Sequence, residues 1–399
     1  VRRNPLLTVL AVLVPIVLLA LGIYLGGHPN TLPDPIRSAL VGDDHAQLFD
    51  EALTKVHDDY YRKIGEGELT DTSIAGMVSS LDDKYSHYFT PKQFKEYMNQ
   101  TNAQFTGVGI EVVEAKTGLK VMRVYAGSPA QKSGMQAGDV IVSAAGQPLA
   151  GLTVGKASNV IRGQEGTKVA LVWQRGGEKV SRDVERAVVS VPVVASRMRT
   201  AKDGTKIAQI ALSTFSRGAS KQLRAEVDKN LDRGAKGILL DLRHNGGGLV
   251  DEARLVASIF IPEGKIVTIK GRNEPTKTLT ATGHAISTKI PMAVLTDSGT
   301  ASAAEIVSGA IQDDHRGVLI GDHTYGKGVF QEVQQLSNGG ALDLTVGQYF
   351  LPSGRNLGGT GVKQGGGLQP DVKVADDTKT PADEVVAAGV RELAAEVGS

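Results

Sequence analysis

Apolar residues in this chain change their spacing several times, and each change marks a different kind of structure. Leu6 to Leu25 is an unbroken uncharged run preceded by Arg2 and Arg3. It is long enough to cross a bilayer as a helix, and the arginines put its N-terminus in the cytoplasm. No small-x-small cleavage site follows, so the run reads as an uncleaved signal anchor over a removed signal peptide. Pro15 is expected to kink it. His28 to Ser38 is proline-rich and polar, a linker leading out of the membrane. Leu48, Ala52, Val56 and Tyr60 then recur every four residues, which predicts a helix. "DTSIAGMVSSL" predicts a second helix capped by Asp71 or Thr72, and "TPKQFKEYM" a third with Thr90 as N-cap and Pro91 at the first helical position.

From about Gln104 the pattern shortens to β-runs between glycine turns. "GVGIEVV", "LKVMRVY", "DVIVSAAG" and "KVALVWQR" are strand candidates, with short helices at "SPAQKSG" and "TVGKASNVIRG". They predict a compact αβ module ending near Val189. Beyond it strands and helices alternate. "KIAQIAL", "KGILLDL" and "PMAVLTD" are strands; "SKQLRAEVDKNLDRG", "LVDEARLVASIF" and "SAAEIVSGAIQDD" are helices, the first ended by Gly234. That order predicts parallel βαβ units in an α/β domain. Gly358 to Leu368 reads as a loop, and "PADEVVAAGVRELAAEV" as a closing amphipathic helix.

Composition narrows the function classes. The 399 residues are enough for two or three domains. Lys and Arg number 44 against 43 Asp and Glu, so no electrostatic footprint for nucleic acid exists. Cysteine is absent, which excludes disulfides, cysteine nucleophiles and thiolate metal sites. No His-Glu-x-x-His spacing points to a catalytic metal, and no cofactor is expected.

"GDHTYGKG" (Gly321 to Gly328) tests a phosphate-binding reading. A P-loop needs a hydroxyl after its lysine and a helix behind it. Gly328 stands in place of the hydroxyl, and "VFQEVQQL" alternates like a strand. Lys327 therefore needs another role. Burial between two glycines would lower its pKa and make it a base. Ser302 can serve as its nucleophile: it sits where a buried strand turns into a helix, whose free N–H groups, Ala303 first, suit a developing oxyanion. Taken alone, Ser302 is equally well a helix cap. "ILLDLRHNGGGL" makes a second such turn, and Gly247 in it is a candidate second oxyanion donor. Gln331 lies four residues after Lys327, on the same face, where it can aim the amine. A Ser-His-Asp hydrolase using His244, His315 or His323 is the competing catalytic reading, although no G-x-S-x-G elbow surrounds Ser302.

Together these segments resemble the carboxyl-terminal processing peptidases, or tail-specific proteases. "SGTASAAEI" is similar to the family's nucleophile segment and "GDHTYGKGVFQ" to its general-base segment, 25 residues apart counted from Ser302 to Lys327. "LDLRHNGGGL" resembles the oxyanion loop, with Gly246 where the family has proline; Ala304 replaces the usual second serine of the nucleophile segment. "AGMVSSLDDKYSHYFTPKQF" resembles the helical region before the family's PDZ module. "FTGVGIEV" and "GSPAQKSGMQAGDVIVSAAGQPL" resemble the PDZ module itself, and "GLQPDVKV" the closing strand.

The resemblance implies an α/β multidomain protein: signal anchor over 1–27, linker over 28–42, helical region over 43–103, PDZ domain over 104–189, and a peptidase core of the ClpP/crotonase-like type over 190–399. It implies Ser302 as nucleophile, Lys327 as base and Gln331 as the residue orienting it. Substrates would be proteins with free apolar C-termini, their carboxylate held by Gly107, Val108, Gly109 and Ile110 as the tail adds beside an exposed strand edge. Arg162 matches a position that couples PDZ binding to activity. A homo-oligomer and a regulatory partner protein are in keeping with the family. The chain would be a single-pass membrane protein with its catalytic part extracytoplasmic. The alternative outside catalysis is a PDZ-type membrane scaffold with a silent peptidase domain.

Overall fold

The structure, a computed structural model, describes residues 14–15, 44–273, 275–359, 364–376, 380 and 382–398. The expected membrane span and linker lie outside the described residues, apart from Val14 and Pro15. Among the described residues no helix is long and apolar enough to cross a membrane.

Contacts divide the chain after Ser80. The first unit holds α1 (Asp44–Asp59) and α2 (Glu66–Ser79). Helix α2 starts before the expected cap: Gly65 is the N-cap, and Asp71 and Thr72 lie inside the helix. Glu66 and Glu68 in its first turn complement the helix dipole. The polar "GEGELT" carries no apolar period to announce that turn.

The second unit starts with β1 (His87–Phe89) and α3 (Pro91–Thr101). Thr90 caps α3 in a full capping box with Gln93, and Pro91 follows at the first turn, as expected. A two-stranded ribbon, β2 (Gln104–Gly107) against β9 (Ala187–Ser190), forms the neck of the αβ module. The module is an antiparallel sheet in the order β3-β4-β5-β7-β8, from β3 (Ile110–Ala115), β4 (Gly118–Val124), β5 (Val140–Ala144), β7 (Lys168–Arg175) and β8 (Glu178–Glu185), with the short β6 (Gln147–Pro148) on β5. Two helices, α4 (Pro129–Lys132) and α5 (Val154–Ile161), are capped by Ser128 and Thr153. Leu119, Val121, Ile141, Leu171 and Trp173 make its own core.

The larger domain is a six-stranded sheet in the order β10-β11-β12-β15-β16-β19. Its strands are β10 (Val194–Thr200), β11 (Lys206–Leu212), β12 (Gly237–Asp241), β15 (Met292–Thr296), β16 (Val318–Gly321) and β19 (Val372–Lys373). All but β10 run parallel. Both faces are covered, which is why "GILLD" and "MAVLT" are buried at every position and show no alternation. Ile238, Leu240 and Val294 face a core shared with α6 (Ala219–Asp232), α7 (Val250–Ala257) and α8 (Ala303–Asp313). Leu239, Ala293 and Leu295 face the closing helix α9 (Glu384–Gly398). Arg243, just past β12, bridges Asp241 (2.7 Å) and Asp383 (2.9 Å), pinning the start of α9 to the strand end that carries the glycine loop.

A second sheet, not foreseen from the sequence, is built on β18 (Ala341–Phe350). β1, β13 (Lys265–Gly271) and β17 (Val329–Gln335) pair with β18, and β14 (Lys277–Thr280) with β13. The loop between β16 and β17 carries Lys327 from one sheet to the other.

Candidate active site

Ser302 is placed by the turn from β15 into α8. Its backbone sits at φ 56° and ψ −117°, a conformation non-glycine residues rarely adopt and one that costs about 1–3 kcal/mol. Such a residue persists only when its surroundings hold it. Here the Ser302 N–H donates to Glu305 Oε2 (2.8 Å), and the Ala301 N–H donates to Asn245 O (2.9 Å). Asp297 Oδ1 accepts from the backbone N–H groups of His244 (2.9 Å) and Gly299 (3.0 Å), tying the serine turn to the glycine loop.

Asn245, fully buried, shapes that loop. Its Nδ2 donates to Leu212 O (2.7 Å) and its Oδ1 accepts from the Gly247 N–H (2.9 Å). Gly247 has φ +101°, and a Cβ there would fall 2.8 Å from Ser302 Cβ and 3.0 Å from Ala303 N. Glycine is thus required for the loop to pack on the serine. The candidate donor Gly247 N–H is already engaged by Asn245, while Gly246 and Gly248 are the exposed glycines. Ala303 is the first residue of α8, where an N–H lacks a partner within the helix.

The two glycines beside Lys327 have a packing reason. A Cβ on Gly326 would overlap Gly365 O, and one on Gly328 would overlap Asn356 Oδ1. The loop is pressed against Asn356 and Gly358 on one side and Gly365 and Gly367 on the other, which leaves Lys327 half-buried. Its amine donates to Gln331 Oε1 (2.6 Å) and lies 4.7 Å from the Tyr85 ring centroid. Burial pushes the Lys327 pKa down, against the opposing pull of Asp343, Tyr325, Asp83 and Glu305. Gln331 sits where a β-bulge shifts the register of β17 on β18, and its Nε2 donates to Thr345 Oγ1 (2.9 Å). The Thr345 N–H in turn donates to Ser86 Oγ (3.0 Å). The amide of Gln331 is thereby fixed with its oxygen toward the lysine.

Ser302, Lys327, Gln331 and Asp343 line one cleft of about 360 Å³, together with Gly246 and Gly248. No hydrogen bond joins Ser302 Oγ to Lys327 Nζ in this conformation. Among the described residues no histidine lines the cleft. His244 does pair with Asp297 (Nδ1 to Oδ2, 2.6 Å), but its side chain is 88% exposed. His323 pairs with Asp322, and His315 follows the end of α8. Among the described residues no cluster of His, Asp and Glu has the arrangement of a metal site.

The proposed tail-binding residues lie in the αβ module. Gly107 belongs to β2, opposite Ala187. Val108 is buried, and its carbonyl accepts from the Ala130 N–H (2.8 Å). Gly109 has φ +86°, and a Cβ on it would overlap Ser128. Ile110 opens β3, the edge strand of the module, with α5 packed beside it. Arg162 caps α5, is exposed, and is not among the residues lining the Ser302 cleft.

Sequence reasoning gave no role to Glu305, Asp343, Tyr85 or Thr345. A signal existed for Glu305 alone, since Ser302-x-x-Glu305 has the spacing of a capping box. The other three arrive from strands and loops distant in sequence.

An α/β core with a serine at the carboxyl end of its sheet, joined to a small module with an open edge strand, is the architecture of a modular serine peptidase. Residues 206–374 match the model of peptidase family S41, residues 120–175 that of the PDZ domain, and residues 37–92 that of the activating protease CtpB N-terminal domain. The chain is 32% identical over 382 residues to the carboxy-terminal processing protease CtpA of Bacillus subtilis (strain 168), covering 95% of this chain and 80% of that protein. It is 33% identical over 327 residues to the carboxyl-terminal-processing protease of Synechocystis sp., covering 81% and 76%. Among solved structures, the photosystem II D1 C-terminal processing protease is similar with a TM-score of 0.50 and 26% identity, covering 84% of this chain and 94% of that one. The chain belongs to the carboxyl-terminal processing proteases of peptidase family S41, and is a serine-type peptidase.

Proposed function

We propose that this peptidase recognises free apolar protein C-termini through its PDZ module and cleaves near them with Ser302 and Lys327. One observation carries the catalytic half. Ser302, Lys327 and Gln331 line a single cleft, and Gln331 Oε1 already accepts from the lysine amine. A neutral amine that donates to Gln331 keeps its lone pair for the Ser302 proton. The two side chains come into hydrogen bond when substrate fills the cleft, as catalytic groups in unliganded sites often do. Ser302 Oγ then attacks the scissile carbonyl as its proton passes to Lys327 Nζ. The ammonium returns that proton to the leaving amine, and water hydrolyses the acyl-enzyme by the same route.

The Ala303 N–H at the start of α8 faces the developing oxyanion. The Gly247 N–H is the second donor, shared with or released from Asn245 Oδ1. The recognition half rests on the open edge of β3 and the turn from Gly107 to Ile110, with Arg162 carrying occupancy to the core. The N-terminal apolar run anchors the chain with the catalytic part outside the cytoplasm, as a homo-oligomer or with a regulatory partner protein.

Matched peptides with free and amidated C-termini test both halves. The free peptide should be cut at least tenfold faster by the parent, and neither should be cut by Ser302→Ala. Equal rates on the two peptides remove carboxylate recognition. Parental rates in Ser302→Ala remove the nucleophile.

A further inference from the structure

Glu305 is the residue at this site for which the reaction has no use. It has no exposed surface. Its Oε2 accepts from the N–H groups of Ser302 (2.8 Å) and Lys327 (3.0 Å). Its Oε1 accepts from the Gly326 N–H (2.6 Å) and Thr324 Oγ1 (2.6 Å). An ionised carboxylate has about four acceptor positions, and all four are filled. Thr324 Oγ1 accepts in turn from the Leu368 N–H (2.8 Å), which brings in the segment that presses on Gly326. One buried carboxylate therefore touches the nucleophile's own N–H, the base's own N–H, and the clamp behind the base.

An ordinary capping box would explain only the first of these bonds. Ser302 and Lys327 approach the cleft on different loops, one leaving β15 and one leaving β16. Nothing in the cap of α8 requires contact with the second loop. Ser302 also holds a strained backbone angle, which needs a firm acceptor for its N–H.

We propose that Glu305 is a positioning residue that sets the register of Ser302 against Lys327 by holding the backbone N–H groups of both on one carboxylate. This rests on the Ser302/Lys327 reading above. Its charge acts on the lysine as well. The ionisable groups facing Lys327 are Asp343 from β18, Tyr325 from its own loop, Asp83 and Tyr85 from the segment before β1, and Glu305 from α8. The Glu305 charge also acts on fully buried Tyr349, adding to the burial that pushes its pKa up. Removing the Glu305 charge removes one support of the ammonium form. The pH at which lysine becomes a base should therefore fall.

Glu305→Gln preserves volume but puts donors where acceptors are needed. In the full-length protein we expect kcat to fall about 100-fold, as for a misplaced reacting pair, with KM within about twofold. The alkaline-going limb of the pH–kcat profile should move to lower pH, a shift that a purely structural defect would not produce. Amide hydrogen exchange at Gly326 and Lys327 should quicken at least tenfold, while exchange in β12 stays parental. A folded Glu305→Gln with parental kcat and parental pH limb overturns the proposal. Should that variant not fold, Thr324→Val removes one of the four donors while keeping the charge, and is read by kcat and by amide exchange at Gly326 and Lys327, with parental values of both overturning the proposal. The exchange measurement needs no activity. A parent unable to cleave, or a Ser302→Ala that still cleaves, defeats the dyad reading, whereas unchanged exchange at Gly326 and Lys327 defeats this one.

Discussion

A lysine surrounded by Asp343, Asp83 and Glu305 would ordinarily be held as an ammonium, yet burial outweighs these neighbours and its pKa lies below the usual lysine range. The balance gives a sign for pH. A group with a depressed pKa is protonated, and useless as a base, below that pKa. Activity should rise with pH through a limb below the ordinary value of about 10.4. Asp343→Asn removes an opposing carboxylate and should move the limb to lower pH, measured as kcat against pH; a limb that stays put places Asp343 outside the lysine's field. Gln331→Ala should lower kcat about tenfold, the worth of one hydrogen bond, with KM nearly unchanged. Equal loss in both parameters would make Gln331 a substrate contact. At this scale the sequence was informative wherever chemistry depends on spacing, as for Gln331 four positions after Lys327. It was silent on Asp343 and Thr345, whose neighbourhood is created by β18 pairing with β17 and β1.

Elements bring the cleft together through the loops that leave the carboxyl ends of β12, β15 and β16, the first of which holds Gly246 and Gly247. These two glycines are not equivalent. Gly247 lies at φ +101° with no room for a Cβ, whereas Gly246 has open space around that position and no positive φ. Gly246→Ala should therefore raise stability by about 0.4–1 kcal/mol, by restricting the unfolded chain. Gly247→Ala should lower stability by more than 1 kcal/mol and depress cleavage, because the methyl group displaces Ser302 or Ala303. Thermal unfolding of the two variants checks the contrast, and equal effects would contradict the loop geometry. The parallel strands were legible because both faces of their sheet are covered, so each reads as a short apolar run. β18 was not. Of its ten residues only Ala341 and Tyr349 are fully buried, and the run "ALDLTVGQYF" shows neither clean alternation nor continuous apolarity. The start of α2 was lost for a related reason, since dipole and capping effects without an apolar stripe leave little pattern.

On the scale of the whole molecule, the neck formed by β2 and β9 joins a module with its own core to the peptidase domain. Gly109 sits close to this neck, where a side chain would overlap Ser128 and press on Val189. Gly109→Val should unfold the module and lower its own melting transition, so loss of tail recognition in that variant would not by itself identify the carboxylate site. A parental melting transition in Gly109→Val would contradict the packing around Ser128. The order of the domains was legible because several motifs occur in sequence along most of the chain. The second sheet and the division after Ser80 depend on long-range pairing that no local motif carries. The central claim, that Ser302 is the nucleophile and Lys327 its base, is tested most directly by labelling with a serine-directed fluorophosphonate and mapping the adduct by mass spectrometry. The account predicts one adduct, on Ser302, formed faster as pH rises and at least 100-fold more slowly in Lys327→Arg, whose side chain stays charged. An adduct on another residue, or parental labelling of Lys327→Arg, would contradict it.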